Sequence, residues 1–258
     1  MQTKILLAVI GALIAIQTSA KAPHYIDLTH ELSEQTLTWP TSKPFKITQA
    51  FADITPGGYY CAAREYESHE HSGTHMDAPN HFAKGHVGVD GVPLSQLIGP
   101  AINIDVQKAV ATHPDYLIGI HDIKQWESRH GKIPAGTIVL LNTGYSKFWS
   151  NLAKYSGTKK TGPGSLTDLH FPGLDPKAAT WLVTDRKIKA IGIDAFSIDY
   201  GQSKKFESHQ ILTKANVPIF ENVASMTKLP ANHFKIYAFP AKIKDGTGAP
   251  LRVVAEVG

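Results

Sequence analysis

The segment from His71 to His81 constrains this chain more than any other part of its sequence. Its eleven residues include three histidines, His71, His75 and His81, and one carboxylate, Asp77. A single histidine is more often a hydrogen-bonded polar group than a metal ligand, but metal-competent side chains rarely cluster this closely by chance. Because imidazole nitrogen and carboxylate oxygen together suit Zn²⁺, Mn²⁺ or Fe²⁺, the segment predicts a divalent-metal site.

The spacing within this segment limits its local structure. His71 and His75 are four residues apart and could share one face of a helical turn. His75 and Asp77 are two apart and could point the same way from an extended strand. Gly73 and Pro79 argue against a long regular helix, so we expect a shaped loop or bent strand on a rigid scaffold.

The segment also reads His-x-Gly-Thr-His-x-Asp-x-Pro-x-His, and in this it resembles the signature of the cyclase family. That family includes bacterial kynurenine formamidases and isatin hydrolases. A second resemblance lies at 206–212 and 220–222, and the likeness extends from about Ile26 to the C-terminus. The segments that look closest to the isatin-hydrolase branch are 39–40, 170–173 and 198–201. The resemblance implies the family's swivelling β/β/α type of fold.

The resemblance implies a set of metal ligands. His71, His75 and Asp77 match the ligands of the first metal, and in two-metal members Asp77 would bridge to a second ion held by His209 and Glu221. His209 lies on a predicted helix and Glu221 ends a predicted strand, so a helix-to-strand return could bring both to one rim. The ligand set leaves open one or two ions, and Zn²⁺ or Mn²⁺.

His81 matches the proton donor and acceptor of the family. Histidine suits this role because its unperturbed pKa is about 6.5, close to the pH at which an enzyme works. The alternative is that His81 is a further metal ligand, or that it hydrogen-bonds to one.

Substrate contacts are implied by a third match. Trp39, followed by Pro40, matches an aromatic-proline element near the pocket mouth, and Phe82 and Tyr59 could line an aromatic slot or pack in the core. Kynurenine formamidases often continue this element with Gly-Asp-Thr-Pro, whereas residues 41–44 read Thr-Ser-Lys-Pro. The missing aspartate favours an isatin-like cyclic amide over a kynurenine-type amino acid.

The resemblance implies a metal-dependent hydrolase that cleaves the C–N bond of an aryl amide, either an isatin-like cyclic amide or N-formylkynurenine, with metal-activated water. Two alternatives stay open: an arylformamidase of tryptophan catabolism to kynurenine, and a secreted metal-binding relative without activity. A serine hydrolase of the α/β-hydrolase type is not expected, because the chain contains no Gly-x-Ser-x-Gly.

The N-terminus predicts export. Lys4 precedes an apolar stretch at 5–16, and small residues follow up to Ala20. This is typical of a signal peptide over 1–20, which predicts a mature domain of 21–258 in the periplasm or outside the cell. The apolar stretch is too short to span a bilayer, so no membrane association is expected after cleavage. An uncleaved anchor or a core segment is the alternative.

The composition of the chain limits the classes of binding partner that we expect. The chain is 42% hydrophobic and 19% charged, as in globular proteins, and its net charge of +4 is scattered without a basic stripe. Nucleic acid is therefore not an expected partner. Cys61 is the only cysteine, so no intramolecular disulfide can form, and we expect it to be buried. The resemblance, with the prevalence of symmetric dimers, predicts a homodimer.

Hydrophobic patterning predicts a mixed α/β (α+β) fold with a central sheet or partly closed barrel. Asp175 and Pro176 form a helix-start signal for 177–186, and helices are also expected at 121–129 and 206–215. Residues 143–170, rich in Gly, Ser, Lys and Tyr, are expected to be loop. Apolar or β-branched segments bounded by Gly, Pro or Asn predict strands at 101–106, 137–142, 188–193, 218–220, 234–239 and 251–256.

Overall fold

The computed structural model of the chain describes residues 22–258. The predicted signal peptide, 1–20, lies outside the described residues. The strands are β1 (His24–Asp27), β2 (Lys46–Ile54), β3 (Tyr60–Glu67), β4 (His75–Asp77), β5 (Ile98–Asp105), β6 (Leu117–Ile118), β7 (Ile138–Asn142), β8 (Gly173–Leu174), β9 (Ala190–Ile193), β10 (Ile219–Glu221), β11 (Phe234–Pro240) and β12 (Gly248–Val257). The α-helices are α1 (Leu94–Leu97), α2 (Gln107–Val110), α3 (Ile120–His130), α4 (Leu152–Ser156), α5 (Pro176–Trp181) and α6 (Glu207–Lys214).

The main sheet closes into a barrel. Its strand order is β12-β11-β5-β7-β9-β10-β4, and β4 pairs back onto β12, while β1 adds to the outer part of β12. Strands β5, β7, β9 and β10 are mutually parallel, and the remaining pairings are antiparallel. Closure leaves the barrel strands without an exposed edge. The predicted fold class is confirmed, and the barrel is closed rather than partly closed.

The central parallel strands β7 and β9 are buried along their whole length because both of their faces are covered. In β7 every residue is buried. Ile138 and Leu140 join the cluster that fills the barrel, while Val139 and Leu141 join the cluster beneath the helices. This alternation follows from the two-residue period of a strand. The barrel therefore has a packed interior and a helix-covered flank.

The helix predictions hold, with adjustments at the ends. The Asp175 carboxylate caps α5 by accepting hydrogen bonds from the backbone N–H of Lys177 at 2.8 Å and Ala178 at 3.2 Å. After α5 the chain continues into a π-helical turn, Leu182–Arg186. The expectation of loop at 143–170 is wrong in part, because it contains α4 and the 3₁₀ turns Tyr145–Phe148 and Pro163–Asp168.

Strands β2 and β3 form a hairpin that pairs only with itself and was not predicted. Both of its faces are largely exposed. Tyr59, in the turn, is 65% exposed and does not line the aromatic slot, so that expectation is wrong. Cys61 is only half-buried rather than part of the core. Within 22–258, no helix is both long and apolar enough to cross a membrane.

Candidate metal centre

Strand β4 places two of the predicted ligands. His75 and Asp77 lie two residues apart on this strand, while the intervening Met76 is fully buried in the barrel cluster. Since β4 pairs with β10, Glu221 lies opposite His75, and the His75 Nε2 to Glu221 Oε2 distance is 3.4 Å. Barrel closure thus brings together residues that are far apart in the sequence. His71 lies in a turn before the strand, not on a helical turn shared with His75.

Asp77 lies at the centre of the cluster. Its Oδ1 is 2.6 Å from His71 Nδ1 and 3.2 Å from His75 Nε2. Its Oδ2 is 3.1 Å from Nε2 of His209, which comes from α6. The same His209 nitrogen is 3.1 Å from Glu221 Oε1. All five predicted ligands therefore share one cluster, and four of them are nearly inaccessible to solvent.

These residues fit a divalent cation. The ligand atoms of His71, Asp77 and His81 lie within 4.8 Å of one another, and so do those of His75, Asp77 and Glu221. Asp77 belongs to both groups, as a bridging carboxylate would. The donors are nitrogen and oxygen without thiolate, a set that suits Zn²⁺ or Mn²⁺. Two carboxylates buried this deeply require positive charge nearby.

Without a metal, protons supply that charge. Burial lowers the pKa of His75, but hydrogen bonds to Asp77 and Glu221 outweigh this effect and raise it to about 10. Burial also lowers the pKa of His209, yet hydrogen bonds to carboxylates, first among them Asp199, raise it well above its ordinary value. A cation that binds here replaces protons on these rings.

Hydrogen bonds fix the ring orientation of two ligands. His75 Nδ1 lies 2.9 Å from the Gly73 carbonyl oxygen, and His209 Nδ1 lies 2.6 Å from Asp199 Oδ2. When Nδ1 donates to these acceptors, the neutral ring presents its Nε2 lone pair to the cluster. Asp199 was not predicted as a site residue. No ligand spacing identifies it, and the family resemblance includes it only as part of segment 198–201.

His81 lies beside the ligands. It ends the 3₁₀ turn Pro79–His81 that follows β4, and its ring stacks on that of His71 with a centroid distance of 4.1 Å. Burial is the main cause that lowers the pKa of His81, to about 4. The ring is therefore neutral near pH 7, and it is a weaker base than an ordinary histidine. Its grouping with His71 and Asp77 also keeps a ligand role open.

A cavity of about 290 Å³ opens over the cluster. Its walls include Trp39 and Phe82, as predicted, together with Phe196 and Phe206, which were not. Trp39 meets Phe196 edge-on at 6.1 Å and Phe206 at 6.2 Å, and Phe82 lies 5.6 Å from Phe206. Ser42 also lines the cavity. The site therefore combines a polar floor of metal-competent groups with aromatic walls.

Comparison with known proteins agrees with this architecture. An isatin hydrolase of Roseibium aggregatum is 33% identical over 238 residues, covering 84% of this chain and 88% of the relative. A kynurenine formamidase of Bacillus cereus is 24% identical over 234 residues, covering 91% of this chain and 98% of the relative.

Two solved structures share the fold. The crystal structure of an isatin hydrolase bound to the product analogue thioisatinate has a TM-score of 0.83 and 31% identity, covering 91% of this chain and 92% of that one. The structure of a "potential metal-dependent hydrolase with cyclase activity" has a TM-score of 0.67 and 25% identity, covering 92% and 99%. A family model described as "Putative cyclase" matches residues 26–200, which include the segment from His71 to His81, so this chain belongs to the cyclase family.

Proposed function

We propose that this chain is a metal-dependent amidohydrolase that cleaves the C–N bond of an aryl amide, with an isatin-like cyclic amide as the preferred substrate class. One observation carries the proposal: a buried cluster of nitrogen and oxygen ligands, His81 among its neighbours, forms the floor of a cavity with aromatic walls. The isatin hydrolase and kynurenine formamidase relatives are named for reactions of this class.

The cavity suits a flat aromatic substrate. Aromatic side chains favour stacked or edge-to-face contacts with another ring. Trp39, Phe196 and Phe206 already pack edge-on or tilted around one end of the space. A volume of about 290 Å³ accommodates a small bicyclic amide rather than a peptide. We infer that the ring lies between these walls and its carbonyl groups face the cluster.

His71, His75 and Asp77 would hold a divalent ion, with His209 and Glu221 completing any second site. Such an ion would supply the Lewis acidity that polarises a carbonyl and activates water near neutral pH. His81 then transfers protons during the reaction. Its neutral ring accepts the proton of the attacking water as the new C–O bond forms. It returns that proton to the aniline-type nitrogen as the C–N bond breaks.

Ser42 favours the cyclic amide over a kynurenine-type substrate. It stands where the kynurenine formamidase element carries aspartate, and it lines the cavity. A serine hydroxyl gives no carboxylate to pair with the amino group of an amino acid. An arylformamidase of tryptophan catabolism remains the second candidate, since it would use the same ligands on an open-chain formamide.

The test compares kcat/KM on isatin and N-formylkynurenine, with Zn²⁺ and Mn²⁺ supplied in turn to metal-free protein. We expect at least a tenfold preference for isatin, about 1.4 kcal/mol in transition-state binding. The variant Ser42→Asp is expected to shift the preference towards N-formylkynurenine, with Ser42→Asn as the uncharged control. A tenfold preference of the natural chain for N-formylkynurenine would favour the arylformamidase, and turnover of neither would refute the substrate assignment. Metal content without turnover of any aryl amide would favour the non-catalytic relative.

We also propose export and self-association. Removal of 1–20 would give a mature protein beginning at Lys21, which N-terminal sequencing of exported protein checks. An intact Met1 on soluble cytoplasmic protein would contradict it. A two-stranded hairpin is marginal alone in water, and β2–β3 exposes Phe51, Ile54 and Tyr60. We propose that a second copy covers this hairpin in a homodimer. Light scattering that gives the mass of a single chain, 28.1 kDa with residues 1–20 and less without them, would contradict it.

A further inference from the structure

His71 faces the cluster differently from the other histidine ligands. His75 and His209 approach the carboxylates through Nε2 and are held from behind at Nδ1. His71 instead has its Nδ1 2.6 Å from Asp77 Oδ1, so its Nε2 points away from the carboxylate. Whatever fixes this ring must therefore act at Nε2.

Thr247 lies at that nitrogen. Its Oγ1 is 3.1 Å from His71 Nε2 and donates a hydrogen bond of 2.8 Å to Oε2 of Glu70. A hydroxyl group has a single hydrogen. Because that hydrogen is used on Glu70, the Thr247 oxygen can only accept from His71. The Nε2 of His71 must therefore carry the proton.

The surrounding backbone holds this contact in place. Glu70 Oε2 also accepts hydrogen bonds from the N–H groups of Thr247 at 2.9 Å and Gly248 at 3.3 Å. The Thr247 carbonyl accepts from Ala78 N–H at 2.9 Å, directly after Asp77. A Cβ at Gly248 would lie 2.5 Å from the His71 ring, so only glycine lets the ring lie this close to β12. The Thr247 hydroxyl is thus held at a fixed position relative to the segment from His71 to His81.

We propose that Thr247, oriented by Glu70, is a positioning residue that keeps a proton on Nε2 of His71, so that Nδ1, which faces Asp77, is the nitrogen that would bind the metal. The inference rests on the proposed metal centre. Groups that orient a metal-ligating histidine from behind contribute about 10–100-fold to metal affinity. Nothing in the signature segment identifies Thr247, which lies 176 residues after His71.

The experiment measures the Zn²⁺ affinity of metal-free protein by competition with a chromophoric chelator. Thr247→Val, which keeps the shape and loses the hydroxyl, is expected to bind about 10–100-fold more weakly. Thr247→Ser restores the hydroxyl and the affinity. Thr137→Val is the matched control: Thr137 is a buried threonine whose hydroxyl donates to the Pro134 carbonyl outside the site, and its loss is expected to leave affinity unchanged.

Histidine ¹⁵N NMR of the zinc-loaded protein gives a second readout that does not depend on activity. If Thr247→Val does not fold, Glu70→Gln replaces it in both measurements. His71 is expected to show a protonated Nε2 in the natural chain. Unchanged zinc affinity in Thr247→Val, or a protonated Nδ1 on His71, would overturn the inference while leaving the metal centre intact. Absence of zinc binding by the natural chain would instead refute the proposed metal centre.

Discussion

Replacement of Asp199 with asparagine tests how the structure orients its metal ligands. Asp199 Oδ2 accepts hydrogen bonds from His209 Nδ1 at 2.6 Å and from the His209 backbone N–H at 3.0 Å, and Oδ1 accepts from the Ser208 N–H at 3.0 Å. Asparagine keeps the size but has one acceptor oxygen. Its amide nitrogen cannot accept, so at least one of these buried donors loses its partner.

Two estimates of the free-energy cost of Asp199→Asn agree. A buried donor left without a partner costs about 1–3 kcal/mol. Loss of the group behind a metal-ligating histidine costs about 10–100-fold in metal affinity, which is about 1.4–2.8 kcal/mol. We therefore expect Asp199→Asn to raise the Zn²⁺ dissociation constant about 10–100-fold. His81 is untouched, so catalysis at saturating metal is expected to fall less than affinity.

The assay is chelator competition with metal-free protein, together with kcat/KM at increasing Zn²⁺. Asp175→Asn is the matched control, because Asp175 also accepts two backbone hydrogen bonds at a helix start but touches no ligand. Asparagine caps a helix about as well as aspartate, so this control is expected to keep both affinity and stability. If the folded Asp199→Asn protein bound Zn²⁺ as tightly as the natural chain does, the reasoning would be refuted.

Three further predictions concern proton transfer, proton release and stability. His81→Ala is expected to keep the metal and lose about 10²–10⁴-fold in kcat; equal loss of metal, measured by elemental analysis, would make His81 a ligand. Because the pKa of His75 is about 10 without metal, metal binding is expected to release protons and to become tighter as the pH rises. Calorimetric titration with metal in buffers of different ionisation enthalpy measures this release, and binding heats that are the same in every buffer would contradict the prediction. Hydrogen bonds from Arg186 hold the pKa of Glu127 below 4.5. This pair therefore stabilises the fold above pH 4.5, and its contribution to the free energy of unfolding is lost as the pH falls through the pKa of Glu127 in the folded protein. Urea unfolding should show Glu127→Gln less stable than the natural chain near neutral pH and equal to it in acid; an equal difference at both would refute the assignment.

The ligand segment could be predicted from sequence because its chemistry is local. His71, His75 and Asp77 are close along the chain, and the two-residue spacing of His75 and Asp77 matches the strand on which they lie. His209 and Glu221 required the family resemblance. The structure places them beside Asp77 because β4 pairs with β10 and α6 packs beside them.

The groups behind the ligands could not be predicted, because no sequence spacing marks contacts that depend on how the chain folds back on itself. Asp199 lies ten residues before His209, and Thr247 meets His71 only because β12 pairs with β4. Phe196 and Phe206 had no distinguishing pattern among the other aromatic residues. The hairpin β2–β3 was missed because both of its faces are exposed, so it lacks the apolar alternation of a half-buried strand.

Metal dependence of isatin hydrolysis tests the central claim most directly. Protein purified without chelator would be analysed for bound metal, stripped, and restored with Zn²⁺ or Mn²⁺, with kcat/KM on isatin measured at each stage and Asp77→Ala as the variant that cannot be restored. We predict one or two divalent ions per chain, loss of activity on stripping, and recovery on restoration in the natural chain alone. Full activity in metal-free protein would contradict the account.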